Sequence, residues 1–163
     1  MRSLFLKVMA ALVAVLFLAG GQAQAEKRVA LVIGNGNYTT ESLPPLANPP
    51  NDAKLIAKAL RRLGFDVLER LDQNQNQIKR SIRDFGEALD KAGKDSVGLF
   101  FYAGHGVQVG GNNYMLPVDA KIARESDVDI EAVNANTVLG TMAFAQSRLN
   151  FVIMDACRNN PLS

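Results

Sequence analysis

The amino-acid sequence predicts an α/β fold, a mostly parallel sheet flanked by helices in three layers. Three observations predict it. Four apolar runs of strand length begin near Arg28, Phe65, Val97 and Phe151, and the first and third are continuously apolar, as strands buried on both faces are. Between them, apolar residues recur at helical spacing, and strands alternating with helices pair in parallel through right-handed crossovers. Finally, Gly34, Gly104-His105-Gly106 and Asp155-Ala156-Cys157 each follow an apolar run, at the carboxyl edge where such sheets build sites.

Taken in order, residues 28–33 form the first strand and stop at Gly34. Residues 35–50 hold four prolines and read as a turn-rich connection. Asn51 then suits an N-cap, with Leu55, Ile56, Ala59, Leu60 and Leu63 at helical spacing behind it and Gly64 as the C-terminal stop. Residues 65–68 are a short second strand. Residues 75–92 form an amphipathic helix with Ile78, Ile82, Phe85 and Leu89 on one face. Residues 97–102 are the third strand. Residues 107–116 resemble a hairpin, since Gly110-Gly111-Asn112 tolerates positive φ. Asn136 caps a third helix reaching about Ser147, with Val138, Leu139 and Met142 as its core face, and residues 151–154 are the fourth strand.

The first 25 residues read as a secretory signal. Arg2 and Lys7 precede an apolar stretch over 8–18, and Ala23-Gln24-Ala25 is a small-x-small cleavage site. That stretch is short for a membrane span of about 20 residues, so the expected product begins at Glu26 and lies outside the cytoplasm, most simply in a bacterial periplasm. Removal takes two of the eighteen basic residues and none of the sixteen acidic ones, leaving a formally neutral chain. Neither a nucleic-acid footprint nor a stable membrane association is expected. Residues 26–163 suffice for one domain.

The chain contains one histidine and one cysteine. A metal site built on either residue type therefore lacks partners, and no serine stands in a nucleophile-elbow setting. A cysteine nucleophile needs a base, and His105 is the only imidazole available. It would take the thiol proton of Cys157 and later protonate a leaving amine. The N–H groups of Cys157 and Gly106 are the oxyanion candidates. Asp52, in the first turn of the first helix, and Asp155, two residues before Cys157, could together line an acidic pocket for arginine or lysine. The phrase Gly34-Asn35-Gly36 lacks the third glycine and the helix start of a nucleotide loop, which sets that reading aside.

On Val32-Ile-Gly-Asn35, Asn51-Asp52-Ala53, Tyr102-Ala-Gly-His-Gly106 and Asp155-Ala-Cys-Arg158, the chain from Lys27 onward resembles the caspase and metacaspase clan of cysteine peptidases. The roughly fifty residues between His105 and Cys157 match the caspase separation. The resemblance implies a caspase-like (flavodoxin-like) fold, a Cys157–His105 dyad and a protein or peptide substrate. Aspartates placed like Asp155 and Asp52 imply cleavage after arginine or lysine. The caspase loop arginine that binds aspartate is missing, because residues 35–51 contain no arginine. No cofactor is implied. Many metacaspases are calcium-activated, and Asp119 matches part of their cluster, but asparagines around Asn134 and Asn136 stand where paired aspartates are expected. Family catalytic domains continue with two more strands, whereas six residues follow Cys157 here. The expectation is a C-terminally truncated, large-subunit portion. The competing reading is a non-catalytic binding or scaffold module on the same fold.

Overall fold

The computed structural model describes residues 26–156, so the signal-peptide expectation and Cys157 lie outside the described residues. Its central element is β1 (Arg28–Gly34), followed by α1 (Pro49–Arg62), β2 (Phe65–Leu71), α2 (Gln75–Ala92) and β3 (Val97–Ala103). A hairpin of β4 (Gly106–Val109) and β5 (Asn112–Met115) comes next. Beyond a 3-10 turn at Glu125–Asp127 lie a short α3 (Val128–Glu131), β6 (Val133–Asn134), α4 (Asn136–Ala145) and β7 (Leu149–Asp155).

The main sheet has the order β2-β1-β3-β7, and all three pairings are parallel. Side chains alternate across it, which separates two apolar layers. Val29, Leu31, Ile33, Phe100 and Tyr102 pack against Ile78, Ile82, Phe85 and Leu89 of α2 and Val138 and Met142 of α4. Ala30, Val32, Leu99 and Phe101 pack on the other face against Ala53, Ala57 and Leu60 of α1. This is the three-layer α/β arrangement the alternation of elements predicts. The connection from β1 leads to β2 on one side, while β3 pairs with β7 on the other. The carboxyl ends of β1 and β3 therefore flank a topological switch point.

Helix α2 matches its expected bounds, and all four expected core residues are buried. Asn74 closes a capping box: its side chain accepts the Gln77 N–H at 2.9 Å, and the Gln77 side chain accepts the Asn74 N–H at 2.9 Å. Helix α1 differs. It starts two residues before Asn51, at Pro49, with Asn48 as N-cap. Prolines suit a first turn because no helix partner exists there for the N–H they lack. The small residues Ala53 and Ala57 face the sheet, so Leu55 (65% exposed) and Leu63 (60%) point outward. In α4 the helix ends at Ala145 because Gln146 turns left-handed, and Leu139 is exposed while Val138, Met142 and Ala145 are buried. Asn136 is inside this helix; its N–H is accepted instead by the Asn134 side chain at 2.8 Å.

The hairpin forms as expected, with Gly110 and Gly111 at φ of 54° and 80°, the left-handed pair a two-residue turn requires. Strand β6 adds to β5 and makes a second, three-stranded antiparallel sheet that the sequence reading missed. Strand β7 is only half-buried. Val152 and Met154 join the α2 side, but Phe151 and Ile153 remain 44% and 47% exposed on the opposite face. An edge strand is covered only where a helix reaches it.

Candidate active site

His105 stands at the exit of β3, at the switch point. The Gly104 before it has a φ of 154°, and a Cβ there would lie 2.7 Å from the hydroxyls of both Tyr102 and Tyr38. Only glycine fits between the two phenols. The turn delivers the imidazole to the loop following β1, where His105 Nε2 lies 2.8 Å from the Pro44 carbonyl oxygen. A carbonyl accepts and cannot donate, so Nε2 carries a hydrogen, and in the neutral ring Nδ1 then carries the lone pair. The contact thus selects the tautomer of the neutral ring. The Tyr38 ring lies against the imidazole, with centroids 4.5 Å apart and planes inclined by 58°.

Gly106 opens β4 opposite Met115. The preceding pair is bonded, since Leu116 N–H donates to His105 C=O at 3.0 Å. Bonded and non-bonded pairs alternate along an antiparallel ladder, so the Gly106 N–H points out of the hairpin.

Asp52 and Asp155 come together across the end of the sheet. Both line one cleft of about 470 Å³ with Leu46, Ala47, Asn48, Pro49, Ala103, Gly104 and Ala156. Asp52 enters it half-buried from the first turn of α1, and Asp155 enters it exposed from the end of β7, beside Ala103. The Gly104 N–H approaches the Asp155 carbonyl at 3.4 Å, which ties β7 to the turn carrying His105. Of the site residues read from sequence, His105, Gly106, Asp52 and Asp155 converge on this edge; Cys157 lies outside the described residues. Among the described residues, no group of three or more His, Cys, Asp or Glu side chains is placed to hold a metal ion.

The structure adds residues that the sequence reading left unassigned. Asn35, fully buried, donates its side-chain amide to the carbonyls of Gln73 (3.1 Å) and Leu116 (3.3 Å), and accepts the Gln73 N–H at 2.9 Å. Asp72 accepts the N–H groups of Gly36 and Asn37 at 2.8 and 2.9 Å, and the Asn37 amide at 2.7 Å. Together they pin the loop that brings Tyr38 and Pro44 to His105. The polar phrase Gly34-Asn-Gly is thereby explained as loop anchoring. A tyrosine closing that phrase at a strand's carboxyl end was the available signal for Tyr38. The Pro44 contribution is a backbone carbonyl, which no residue type announces.

The sheet thus carries a single histidine at its switch point and two carboxylates at the same edge. The family model of the caspase domain matches residues 27–163, and the chain belongs to that cysteine peptidase family. It is similar to the human mucosa-associated lymphoid tissue lymphoma translocation protein 1, 34% identical over 137 residues, covering 84% of this chain and 16% of that protein. The mouse homologue is likewise 34% identical over 138 residues, covering 85% and 16%. The chain thus spans about a sixth of the length of these relatives. A crystal structure of a Geobacter sulfurreducens protein superposes with a TM-score of 0.60 over 80% of this chain and 50% of that one. At 20% identity that likeness concerns the fold alone.

Proposed function

We propose that this domain is a cysteine endopeptidase that cleaves after arginine or lysine, with Cys157 as nucleophile and His105 as base. The observation that carries the reading is the meeting of Asp52 and Asp155 in one cleft that Gly104, the residue before His105, also lines, while Pro44 engages Nε2 of that histidine and leaves Nδ1 to act. An acidic cleft suits a cationic side chain, because a charge-assisted pair is stronger than a neutral hydrogen bond. His105 Nδ1 takes the thiol proton, and the thiolate adds to the scissile carbonyl carbon. The N–H groups of Gly106 and Cys157 receive the oxyanion. The imidazolium then gives its proton to the departing amine, leaving a thioester, which water hydrolyses with His105 again as base. No cofactor takes part, and the substrate is a protein or peptide. The basic leader over residues 1–25 supports export and action outside the cytoplasm.

Hydrolysis of fluorogenic peptides ending in arginine, lysine or aspartate tests the reading. Turnover of the arginine and lysine peptides is expected, abolished in Cys157→Ala and unaffected by chelator. Asp52→Asn and Asp155→Asn should each raise KM for these peptides about 10- to 100-fold, the range for losing a charged hydrogen bond. Turnover surviving Cys157→Ala removes the mechanism, and preference for aspartate removes the pocket.

A further inference from the structure

The phenols beside His105 form a closed set of hydrogen bonds that the peptidase reading does not by itself require. Tyr38 is 5% exposed and Tyr102 fully buried. The His105 N–H donates to the Tyr38 hydroxyl at 2.7 Å, and the Tyr102 hydroxyl donates to the His105 carbonyl at 2.7 Å. Each phenol has one proton. The His105 carbonyl is the nearest acceptor of the Tyr102 proton, and the Leu116 carbonyl, at 3.2 Å, that of the Tyr38 proton. Tyr102 also lies 3.1 Å from the Leu116 carbonyl, and the two hydroxyls lie 3.4 Å apart. Leu116 is itself bonded back to His105 through its N–H. Both backbone groups of the histidine are thus held by buried hydroxyls.

The same Tyr38 ring lies against the imidazole, tilted by 58°, while Pro44 engages Nε2. Rotation of the imidazole about its Cβ–Cγ bond would break the Pro44 contact. A short loop segment therefore governs both the backbone and the ring orientation of His105. Asp72 and Asn35 hold that loop to the ends of β2 and β5.

We propose that Tyr38 is a positioning residue for His105: by holding the backbone N–H and lying against the ring it keeps Nε2 at the Pro44 carbonyl, which selects the Nε2–H tautomer. The proposal rests on the peptidase reading for its catalytic consequence, but the orientation can be observed without turnover. The chain has a single histidine, so its imidazole nitrogen resonances are unambiguous.

The test uses the full chain as wild type, Tyr38→Phe and Tyr38→Leu, with circular dichroism to establish folding. Tyr38→Phe keeps the ring and removes the acceptor of the His105 N–H; Tyr38→Leu removes both. In nitrogen-15 spectra recorded above the ordinary histidine range of about 6.5, the wild type is expected to show one Nε2–H tautomer. The variants are expected to show a mixture, more advanced in Tyr38→Leu. On an arginine peptide kcat should fall about 10-fold in Tyr38→Phe and on the order of 100-fold in Tyr38→Leu, with KM within about twofold, as expected for displaced reacting groups. Unchanged imidazole signals in both variants overturn the proposal whatever the kinetics, and so do altered signals with unchanged kcat. Turnover that persists in Cys157→Ala, or is absent from the wild type, sinks the peptidase reading instead and leaves the imidazole signals to judge Tyr38.

Discussion

At the scale of single residues, the site depends on what is missing as much as on what reacts. Gly104 occupies a gap between two buried hydroxyls, at a backbone angle that L side chains rarely adopt. Gly104→Ala must push Tyr38 or Tyr102 aside, or rotate the peptide that presents His105. We expect a loss of about 1–3 kcal/mol in stability, together with a drop in kcat on the order of 100-fold. Urea unfolding and peptide kinetics on the same samples check both, and wild-type values of either would show that the turn yields more readily than its contacts imply. The flanking glycines of His105 were legible in the sequence as a sign of close approach, and Asp52 and Asp155 as a pair that one sheet edge could unite. Tyr38 carried only the weak signal of closing a polar phrase, because its role arises across 67 residues of chain. Pro44 was not legible, since its carbonyl is common to every residue.

At the scale of elements, local chemistry was most readable where one signal dominated. Helix α2 was read from its apolar face and the Gly93 that stops it, and the structure adds the capping box at Asn74 that agrees with the same bounds. Removing the cap should cost about 1 kcal/mol, so Asn74→Ala is expected to lower the melting temperature by roughly 2–5 °C. A thermal scan measures this, and an unchanged melting temperature would mean that tertiary packing alone holds the helix start. Helix α1 was misread at its beginning because two signals competed. Asn51 has the residue type of a cap, but Pro49 and Pro50 have backbone angles already suited to the first turn. Its buried face was misjudged for a related reason. Spacing cannot tell Leu55 from Ala53, and close packing onto the sheet chose the smaller side chains. Strand β6 has two residues, too few for any periodicity to register.

At the scale of the whole molecule, the order β2-β1-β3-β7 makes one idea out of the separate motifs. Because β3 and β7 are parallel neighbours in register from Val97 with Leu149 to Ala103 with Asp155, phrases some fifty residues apart in sequence emerge at one edge. The same topology buries the phenols that hold His105, and this gives the fold a characteristic response to alkali. Burial raises the Tyr102 phenol well above its ordinary value of 10.0 and also raises Tyr38. A phenol that binds its proton more tightly when folded contributes fully to stability below 10.0, and that contribution is lost as pH climbs through the raised folded value. The unfolding free energy should therefore fall above about pH 10, with each such group adding up to about 1.4 kcal/mol per pH unit. Tyr114, raised by its hydrogen bond to Asp129, keeps part of this slope in every variant. Tyr102→Phe should be less stable at neutral pH, because the His105 carbonyl loses a donor, and yet decline more gently in alkali. Urea titrations of wild type and Tyr102→Phe from about pH 8 to pH 11 measure both slopes. Parallel curves would mean that Tyr102 ionises as freely in the fold as in the unfolded chain, and that its burial behind His105 does not hold its proton.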